Sequence, residues 1–233
     1  DWSSDVCSSD LRNIINAIDL SSLGLDKIEE DEGGFRIGCM ATLHDIETHE
    51  GLNKEFQNLF KEAVRHIVGV QFRNCATIGG SIFPKLGFSD VLTAFLACDT
   101  QVILYKKGEV PLREFIYIPT DNDILTHLYV KKDGRKTAYE SFRMTETDFP
   151  TITCAMAKTQ DGFETVLGAR PKHAEVVVDE VVADAFSSEE VSDYAKRVIG
   201  KLQYGSNIRG SEQYRKQLSK VLIGRCISRL TEE

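Results

Sequence analysis

Two adjacent glycines, Gly79 and Gly80, break the strand-like apolar run of residues 70–90 and constrain this chain more than any other feature. Thr77 precedes them and Ser81 follows, which gives the sequence Thr-Ile-Gly-Gly-Ser. Because glycine has no Cβ and tolerates positive φ angles, the segment can bring backbone N–H groups close to a bulky ligand such as a pyrophosphate. Successive amides of this kind bind anions, and hydroxyl groups can add donors to a phosphate. A plain β-hairpin turn between two strands is the alternative explanation of the same glycines.

The charge of the chain argues against one broad class of function. With 36 acidic residues against 28 Lys and Arg residues, its formal net charge is −8. Nucleic-acid surfaces need clustered basic residues, and we therefore expect no nucleic-acid partner. No apolar run approaches the ~18 residues that span a bilayer, and the N-terminus lacks a basic-then-apolar signal pattern. These patterns predict a cytoplasmic protein without a membrane segment, and 233 residues suffice for one large or two modest domains.

Periodicity predicts the elements on either side of the glycines. Residues 34–41 alternate as a strand, and Thr42 with Asp45 forms a capping pair for a helix that starts there. Residues 53–67 carry apolar side chains at three-and-four spacing, which predicts one amphipathic helix leading into the glycine segment. A further helix is expected to begin at Asp90, for which this residue is a good N-cap.

The pattern changes character after residue 136. Before it we expect a strand over residues 101–105 and a turn over 108–111, and Asp133-Gly134 is typical of a solvated hairpin turn rimmed by Lys and Arg. Beyond it the alternation of apolar and polar residues predicts strands over residues 139–143 and 149–158 and a third strand around Leu167. Amphipathic helices are then predicted over residues 187–202 and 210–230. Strands followed by helices favour an α+β arrangement.

Four motifs, taken in order, resemble one protein family. They are the glycine segment with Arg73-Asn74 before it and Phe88-Ser89-Asp90 after it, and residues 35–47, 167–174 and 208–215. Their sequence and order are similar to those of the FAD subunits or domains of the molybdenum hydroxylases. This family includes xanthine dehydrogenase, carbon-monoxide dehydrogenase and 4-hydroxybenzoyl-CoA reductase. The resemblance covers most of the chain from about residue 12 onward.

The resemblance implies an α+β fold in two parts. Residues 12–136 would be the remnant of a PCMH-type FAD-binding domain, and residues 137–233 would form a small antiparallel sheet with helices, like the C-terminal domain of the CO dehydrogenase flavoprotein. A first glycine-rich loop, which in the family holds the other side of the FAD pyrophosphate, has no counterpart in this sequence. Residues 1–11 repeat Ser-Ser-Asp and resemble translated adaptor sequence, so we expect a non-native leader on an N-terminally truncated chain.

The resemblance also implies which side chains contact FAD. Asp90 matches an aspartate that binds ribityl or ribose hydroxyls, although a role as N-cap alone would explain it. Arg143 matches a basic residue that reaches the flavin ring in some members, where a cation stabilises the reduced form; a surface arginine at a strand edge is the alternative. Phe83 and Leu125 match apolar positions around the flavin or are plain core residues. The implied cofactor-binding positions are Ala76, Thr77, Gly79, Gly80, Ser81, Phe83, Asp90, Leu125 and Arg143.

The implied function is electron transfer, with no catalytic acid, base or nucleophile in this chain. FAD would pass electrons between a [2Fe-2S] small subunit and NAD or another acceptor, while a molybdopterin-binding large subunit transforms the substrate. The six cysteines never form a Cys-x-x-Cys pair, and we therefore expect no metal site in this chain. The alternative is a flavin-free partner or assembly module that keeps the subunit contacts of the same complex. A stand-alone flavin reductase fits less well, because nothing in the sequence suggests a complete nicotinamide site.

Overall fold

Two antiparallel sheets organise the described residues, 18–119, 122–181 and 186–231, of this computed structural model. The first sheet contains β1 (Ile28–Glu30), β2 (Gly34–Gly38), β3 (Thr100–Leu104), β4 (Gly108–Pro111) and β5 (Leu125–Lys131), in the order β1-β2-β5-β3-β4. The second sheet is a meander of β6 (Lys136–Phe142), β7 (Ile152–Thr159), β8 (Gly162–Gly168) and β9 (Glu175–Asp179). Together with the helices that cover them, these sheets confirm the α+β fold.

Short helices occupy most of the chain between β2 and β3. They are α1 (Leu43–Thr48), α2 (Glu50–Glu55), α3 (Leu59–Val64), α4 (Val70–Arg73), α5 (Ile78–Ile82) and α6 (Asp90–Leu96), and α7 (Leu112–Phe115) follows β4. Thr42 and Asp45 form the predicted capping box at the start of α1, in which each side chain accepts a hydrogen bond from the other residue's backbone N–H. This box fixes the direction in which the chain leaves β2.

The single helix predicted over residues 53–67 is wrong. The chain breaks between α2 and α3, where Gln57 and Asn58 have positive φ angles of 46° and 63°. Asn53 gives a physical reason, because its buried side chain accepts a hydrogen bond from the backbone N–H of Lys61 at 3.0 Å. A side chain that bonds to the backbone of the next segment competes with continuation of the helix.

Residues 70–90 form short helices in place of the predicted strand-like runs. Gly79 and Gly80 lie inside α5 with helical backbone angles, so the hairpin alternative is wrong and positive φ angles are not needed here. Helix α6 begins at Asp90 as predicted, but its N-cap is Ser89, whose hydroxyl accepts from the backbone N–H of Leu92 at 3.0 Å. In this helical stretch Ile78 and Ile82 are buried, whereas Val70 and Phe72 are exposed.

Helices α8 (Ser188–Gly200) and α9 (Glu212–Thr231) cover one face of the second sheet. Helix α9 packs on β6 and β7 and also against α8. Its buried side chains, among them Ile223 and Ile227, form a core with residues of the sheet. The strands and helices predicted after residue 136 are thus confirmed, with bounds that shift by a few residues.

Two predicted turns are wrong. Gly108–Pro111 is strand β4, which pairs antiparallel with β3. The hairpin expected around Asp133-Gly134 does not form, because β5 and β6 belong to different sheets. Arg135, expected on a solvated rim, is buried, and its Nη1 lies 3.0 Å from Oε2 of Glu164 on β8. The segment between β5 and β6 is therefore the crossing from one sheet to the other.

The two halves of the chain pack closely against each other. Helix α6 contacts β7 and β8, and Tyr139, Ala155 and Val166 of the second sheet share a hydrophobic core with the first half. The domain boundary after residue 136 stays a prediction, and the predicted leader, residues 1–11, lies outside the described residues. None of the helices in the described ranges is both long and apolar enough to cross a bilayer.

Candidate functional site

A cavity of about 550 Å³ lies between the helices of the first half and the segment that follows β6. Its wall is largely apolar and includes Phe88 and Phe149, whose rings meet edge to face with centroids 4.7 Å apart. Concave apolar cavities with a few polar groups are the usual form of a cofactor site. The predicted positions that line this cavity are Ala76, Thr77, Gly80, Ser81, Asp90 and Arg143.

A smaller cavity of about 210 Å³ contains the remaining predicted positions, Gly79, Phe83 and Leu125. Thr77 and Gly80 line both cavities, so both spaces border the glycine segment. The structure therefore brings all the predicted positions to one of two neighbouring cavities. Of these two cavities, Asp90 and Arg143 line the larger one, whereas Phe83 and Leu125 line the smaller one.

The glycine segment is held in place by the chain that follows β2. The backbone N–H of Ile78 donates to the carbonyl of Ala41 at 2.9 Å, and that of Gly79 donates to the carbonyl of Cys39 at 2.8 Å. The N–H of Gly80 donates to Thr77 Oγ1 at 3.1 Å. These amides have protein partners, so the expectation of a row of open amides for an anion is wrong.

Hydroxyl groups remain as polar functions of this segment. Thr77 Oγ1 accepts from Gly80 and keeps its own hydrogen for a further partner. Ser81 Oγ donates to the carbonyl of Thr77 at 2.9 Å, which leaves its oxygen as an acceptor. Of the donors predicted here for a phosphate, the Thr77 hydroxyl is the one whose geometry supports that role.

Asp90 lies at the centre of a buried polar cluster. Its Oδ1 accepts a hydrogen bond of 2.5 Å from the hydroxyl of Tyr139, and its Oδ2 lies 2.7 Å from Arg143 Nη2. The other terminal nitrogen of Arg143, Nη1, donates to Ser141 Oγ at 2.5 Å. Both carboxylate oxygens of Asp90 thus have protein partners, in contrast to the expected role as an open acceptor for two ligand hydroxyls.

Burial and charge act in opposite directions on this cluster. Burial raises the pKa of Asp90, while the charge of Arg143 and the Tyr139 hydroxyl oppose that rise. Burial alone would lower the pKa of Arg143, but the charge of Asp90 raises it above its ordinary value. Arg143 is therefore a buried cation paired with Asp90, and the alternative of a surface arginine at a strand edge is wrong.

Arg143 also has an unsatisfied donor. Within the described part of the chain, its Nε is the buried side-chain polar atom for which no hydrogen-bond partner is found. Native proteins leave few such groups, so each one calls for an explanation such as a bound water, an ion or a ligand. This atom belongs to a side chain that lines the larger cavity.

Sequence reasoning missed His66, which lines both the larger cavity and a polar pocket of about 320 Å³ beside it. Arg65 Nε donates to His66 Nε2 at 2.9 Å, so the neutral ring carries its proton on Nδ1. Burial lowers the pKa of His66, and the charges of Arg65 and Arg143 lower it further. No sequence motif marked this residue.

Sequence reasoning also missed Tyr139, for which a signal exists. Tyr139, Ser141 and Arg143 follow one another at intervals of two residues along β6 and just beyond it. Because side chains of a strand alternate between its faces, this spacing places the three residues on one face. A buried position for Arg143 would then have predicted polar partners at 139 and 141.

Comparisons with known proteins agree on one family. The profile of the family described as "FAD binding domain in molybdopterin dehydrogenase" matches residues 4–130. The glyceraldehyde dehydrogenase medium chain of Sulfolobus acidocaldarius is 27% identical over 223 residues, which cover 88% of this chain and 79% of the relative. The aldehyde oxidoreductase FAD-binding subunit PaoB of Escherichia coli is 33% identical over 82 residues, 35% of this chain and 26% of that protein.

A solved structure supports the same fold. Carbon monoxide dehydrogenase from Hydrogenophaga pseudoflava contains a chain that superposes with a TM-score of 0.78 at 22% sequence identity. The match covers 88% of this chain and 78% of that one. At this identity the likeness concerns the fold, and it extends through both sheets of the chain.

Proposed function

Because this chain belongs to the family of FAD-binding domains of molybdopterin dehydrogenases, we propose that it is the electron-transfer subunit of a molybdenum hydroxylase complex. The family membership confirms the resemblance seen in the four sequence motifs, and FAD is the cofactor of the family. The chain is thus an FAD-binding oxidoreductase subunit. The route of the electrons and the identity of the neighbouring subunits form the proposal.

The single observation that carries the proposal is Arg143 in the wall of the larger cavity. Its Nε is buried without a partner, and an unsatisfied buried donor costs on the order of 1–3 kcal/mol. The carbonyl oxygens and ring nitrogens of a flavin are acceptors that would satisfy such a donor. The residues present therefore fit FAD.

The remaining residues of the two cavities fit the other parts of this cofactor. The apolar wall with Phe88 and Phe149 would exclude water from an aromatic ring system, and the Thr77 hydroxyl would donate to a phosphate oxygen. Gly80 leaves space between the two cavities, since the nearest atom to a Cβ built there is Thr77 Oγ1 at 3.2 Å. Bound FAD supplies the chemistry of accepting and releasing electrons singly or in pairs.

The proposed partners follow from the family. We infer a molybdopterin-binding large subunit and a [2Fe-2S] small subunit, with NAD or another molecule as the electron acceptor. Relatives that carry the names medium chain and FAD-binding subunit support a place in a multi-subunit enzyme. A cytoplasmic location stays a prediction.

The first experiment is to incubate the purified chain with FAD, remove unbound flavin by desalting and record the visible absorption spectrum. We expect flavin bands at one FAD per chain. FAD fluorescence quenching on titration with the chain provides an independent measurement of weaker binding.

Absence of both signals would contradict the flavin-binding role of this chain. It would support the flavin-free partner module, which the protein-bound amides of Ile78, Gly79 and Gly80 also favour. Binding of FAD without reduction by an added iron–sulfur donor would instead contradict the proposed route of the electrons.

A further inference from the structure

Tyr139 completes the buried cluster at the larger cavity without lining that cavity. Its hydroxyl donates to Asp90 Oδ1 at 2.5 Å, while Arg143 Nη2 lies 2.7 Å from Asp90 Oδ2. Each carboxylate oxygen therefore has its own donor. On the other side of the cluster, Tyr139 borders the polar pocket that it shares with His66 and Arg143.

These contacts matter energetically because all three side chains are buried. Asp90 is 5% exposed, Tyr139 is 3% exposed and the side chain of Arg143 is 7% exposed. An ionised carboxylate in such a place needs compensation, because removal from water disfavours its charged form. The charge of Arg143 compensates part of the charge of Asp90, and a charge-assisted hydrogen bond from the Tyr139 hydroxyl stabilises the carboxylate further.

We propose that Tyr139 is a positioning residue for the flavin. By holding Asp90 as a carboxylate anion, it keeps the charge of Arg143 neutralised at the cavity wall and thereby sets the reduction potential of bound FAD. The inference rests on the proposed function, because it requires FAD in this cavity. Tyr139 would affect the flavin through Asp90 and Arg143, without touching the cofactor itself.

The direction of the effect follows from charge balance. Without the Tyr139 hydroxyl, the anionic form of Asp90 loses a hydrogen bond and protonation becomes more favourable. A protonated Asp90 no longer neutralises Arg143. An uncompensated cation beside the flavin favours its reduced and more negative form, so the potential rises.

The test is the midpoint potential of bound FAD, measured by spectroelectrochemistry at one pH for the wild-type chain, Tyr139→Phe, Asp90→Asn and the double variant. For Asp90→Asn we expect binding of reduced FAD to strengthen about tenfold relative to oxidised FAD, which is about 30 mV for a two-electron couple. Tyr139→Phe shifts the potential in the same direction by a smaller amount. In the Asp90→Asn background, Tyr139→Phe adds nothing, because the group through which it acts is gone.

Tyr194→Phe is the matched control. The Tyr194 hydroxyl is also buried and lies 2.8 Å from Thr165 Oγ1, but it belongs to the core between the second sheet and α8. Its removal costs a comparable hydrogen bond away from the cavity. We expect the FAD potential of this variant to equal that of the wild-type chain.

The outcomes separate the two proposals. If the wild-type chain binds FAD but Tyr139→Phe leaves the potential unchanged or lowers it, the positioning role is wrong and the proposed function stands. If Tyr139→Phe shifts the FAD potential equally in the wild-type and the Asp90→Asn backgrounds, the positioning role is also wrong, since Tyr139 would then act independently of Asp90. Should Tyr139→Phe not fold, a potential of Asp90→Asn that does not rise still overturns the inference, because Tyr139 is proposed to act through Asp90. A wild-type chain that binds no FAD overturns both.

Discussion

Gly79 lies directly against Cys39. A Cβ built on Gly79 would stand 2.9 Å from the Cβ and 2.9 Å from the carbonyl oxygen of Cys39. The same carbonyl accepts the backbone N–H of Gly79 at 2.8 Å, so the two segments cannot separate without losing a hydrogen bond. Gly80, one residue further, has only Thr77 Oγ1 within 4 Å of the equivalent position, at 3.2 Å. The two glycines therefore serve different purposes: close packing at Gly79 and open space at Gly80.

We predict opposite effects of alanine at these two positions. Gly79→Ala places a methyl group against backbone atoms and lowers the free energy of unfolding by about 1–3 kcal/mol. Gly80→Ala needs only a small shift of a hydroxyl and lies in a helix, where alanine is favoured over glycine by roughly 0.5–1 kcal/mol. Urea unfolding of the two variants measures the difference. Equal destabilisation would contradict the separate roles of the two glycines.

Gly80→Val tests the space between the cavities. We expect the fold to be retained and FAD binding to be lost, because the branched side chain would take up space at a residue that lines both cavities. The retained flavin after desalting is the measurement. Gly200→Val is the control, since a Cβ at Gly200 has no atom within 4 Å and this residue ends α8 away from both cavities. Normal flavin content in Gly80→Val would show that the site lies elsewhere.

Glu164 joins the two halves of the chain through ion pairs. Its carboxylate binds Arg113 of α7 and lies 3.0 Å from Arg135 Nη1 in the crossing between the sheets. Glu164→Gln would leave the buried Arg135 with less compensation, and we expect a loss of about 1.5–3 kcal/mol in the free energy of unfolding. Asp193→Asn, which removes the exposed pair with Lys196, should change the free energy of unfolding far less, because exposed ion pairs contribute little. Similar values for both variants in denaturant unfolding would contradict the importance of the buried network.

His127 on β5 predicts a pH dependence of stability. Burial lowers its pKa from the ordinary value of 6.5, and the charge of Arg36 lowers it further. Arg36 Nη2 lies 3.3 Å from His127 Nδ1, and an arginine can only donate, so the ring is neutral in the fold. Below pH 6.5 the unfolded chain then binds more protons than the folded one, and the free energy of unfolding falls as the pH falls.

His127→Gln should reduce this dependence below about pH 6.5 in a series of denaturant titrations. Some dependence remains, because the pKa of His66 is lowered as well. A variant whose stability falls with pH as steeply as that of the wild-type chain would show that His127 is not responsible.

The elements that local sequence determines were predicted well. The capping box of Thr42 and Asp45 depends on residues three apart, and the helices after residue 186 carry their own apolar stripes. The predictions failed where distant contacts decide. The Asn53 side chain bonds to the backbone of Lys61 across the break between two helices. Arg135 is buried because it pairs with Glu164 of the second sheet. Residues 70–90 were misassigned because a short apolar run does not distinguish a buried strand from a buried helix.

For the site, the family motifs predicted which residues line the cavities, and the structure showed which partners these residues bond to. The motif around Gly79 and Gly80 located both cavities, but it gave no sign that the amides would be taken by Ala41 and Cys39. Asp90 was expected to face a ligand, and its partners on the second sheet became visible only in the fold. Such pairings join residues about fifty positions apart, which no local pattern encodes.

The larger cavity takes its walls from residues 43–91 and from residues 143–150, which lie on opposite sides of the crossing between the sheets. Any molecule held there touches both parts, so its binding free energy adds to their association and not to the stability of either part alone. Loading with cofactor would accordingly make the chain melt more nearly as one cooperative unit. A chain cut at residue 136 would lose the site even if both pieces kept their folds.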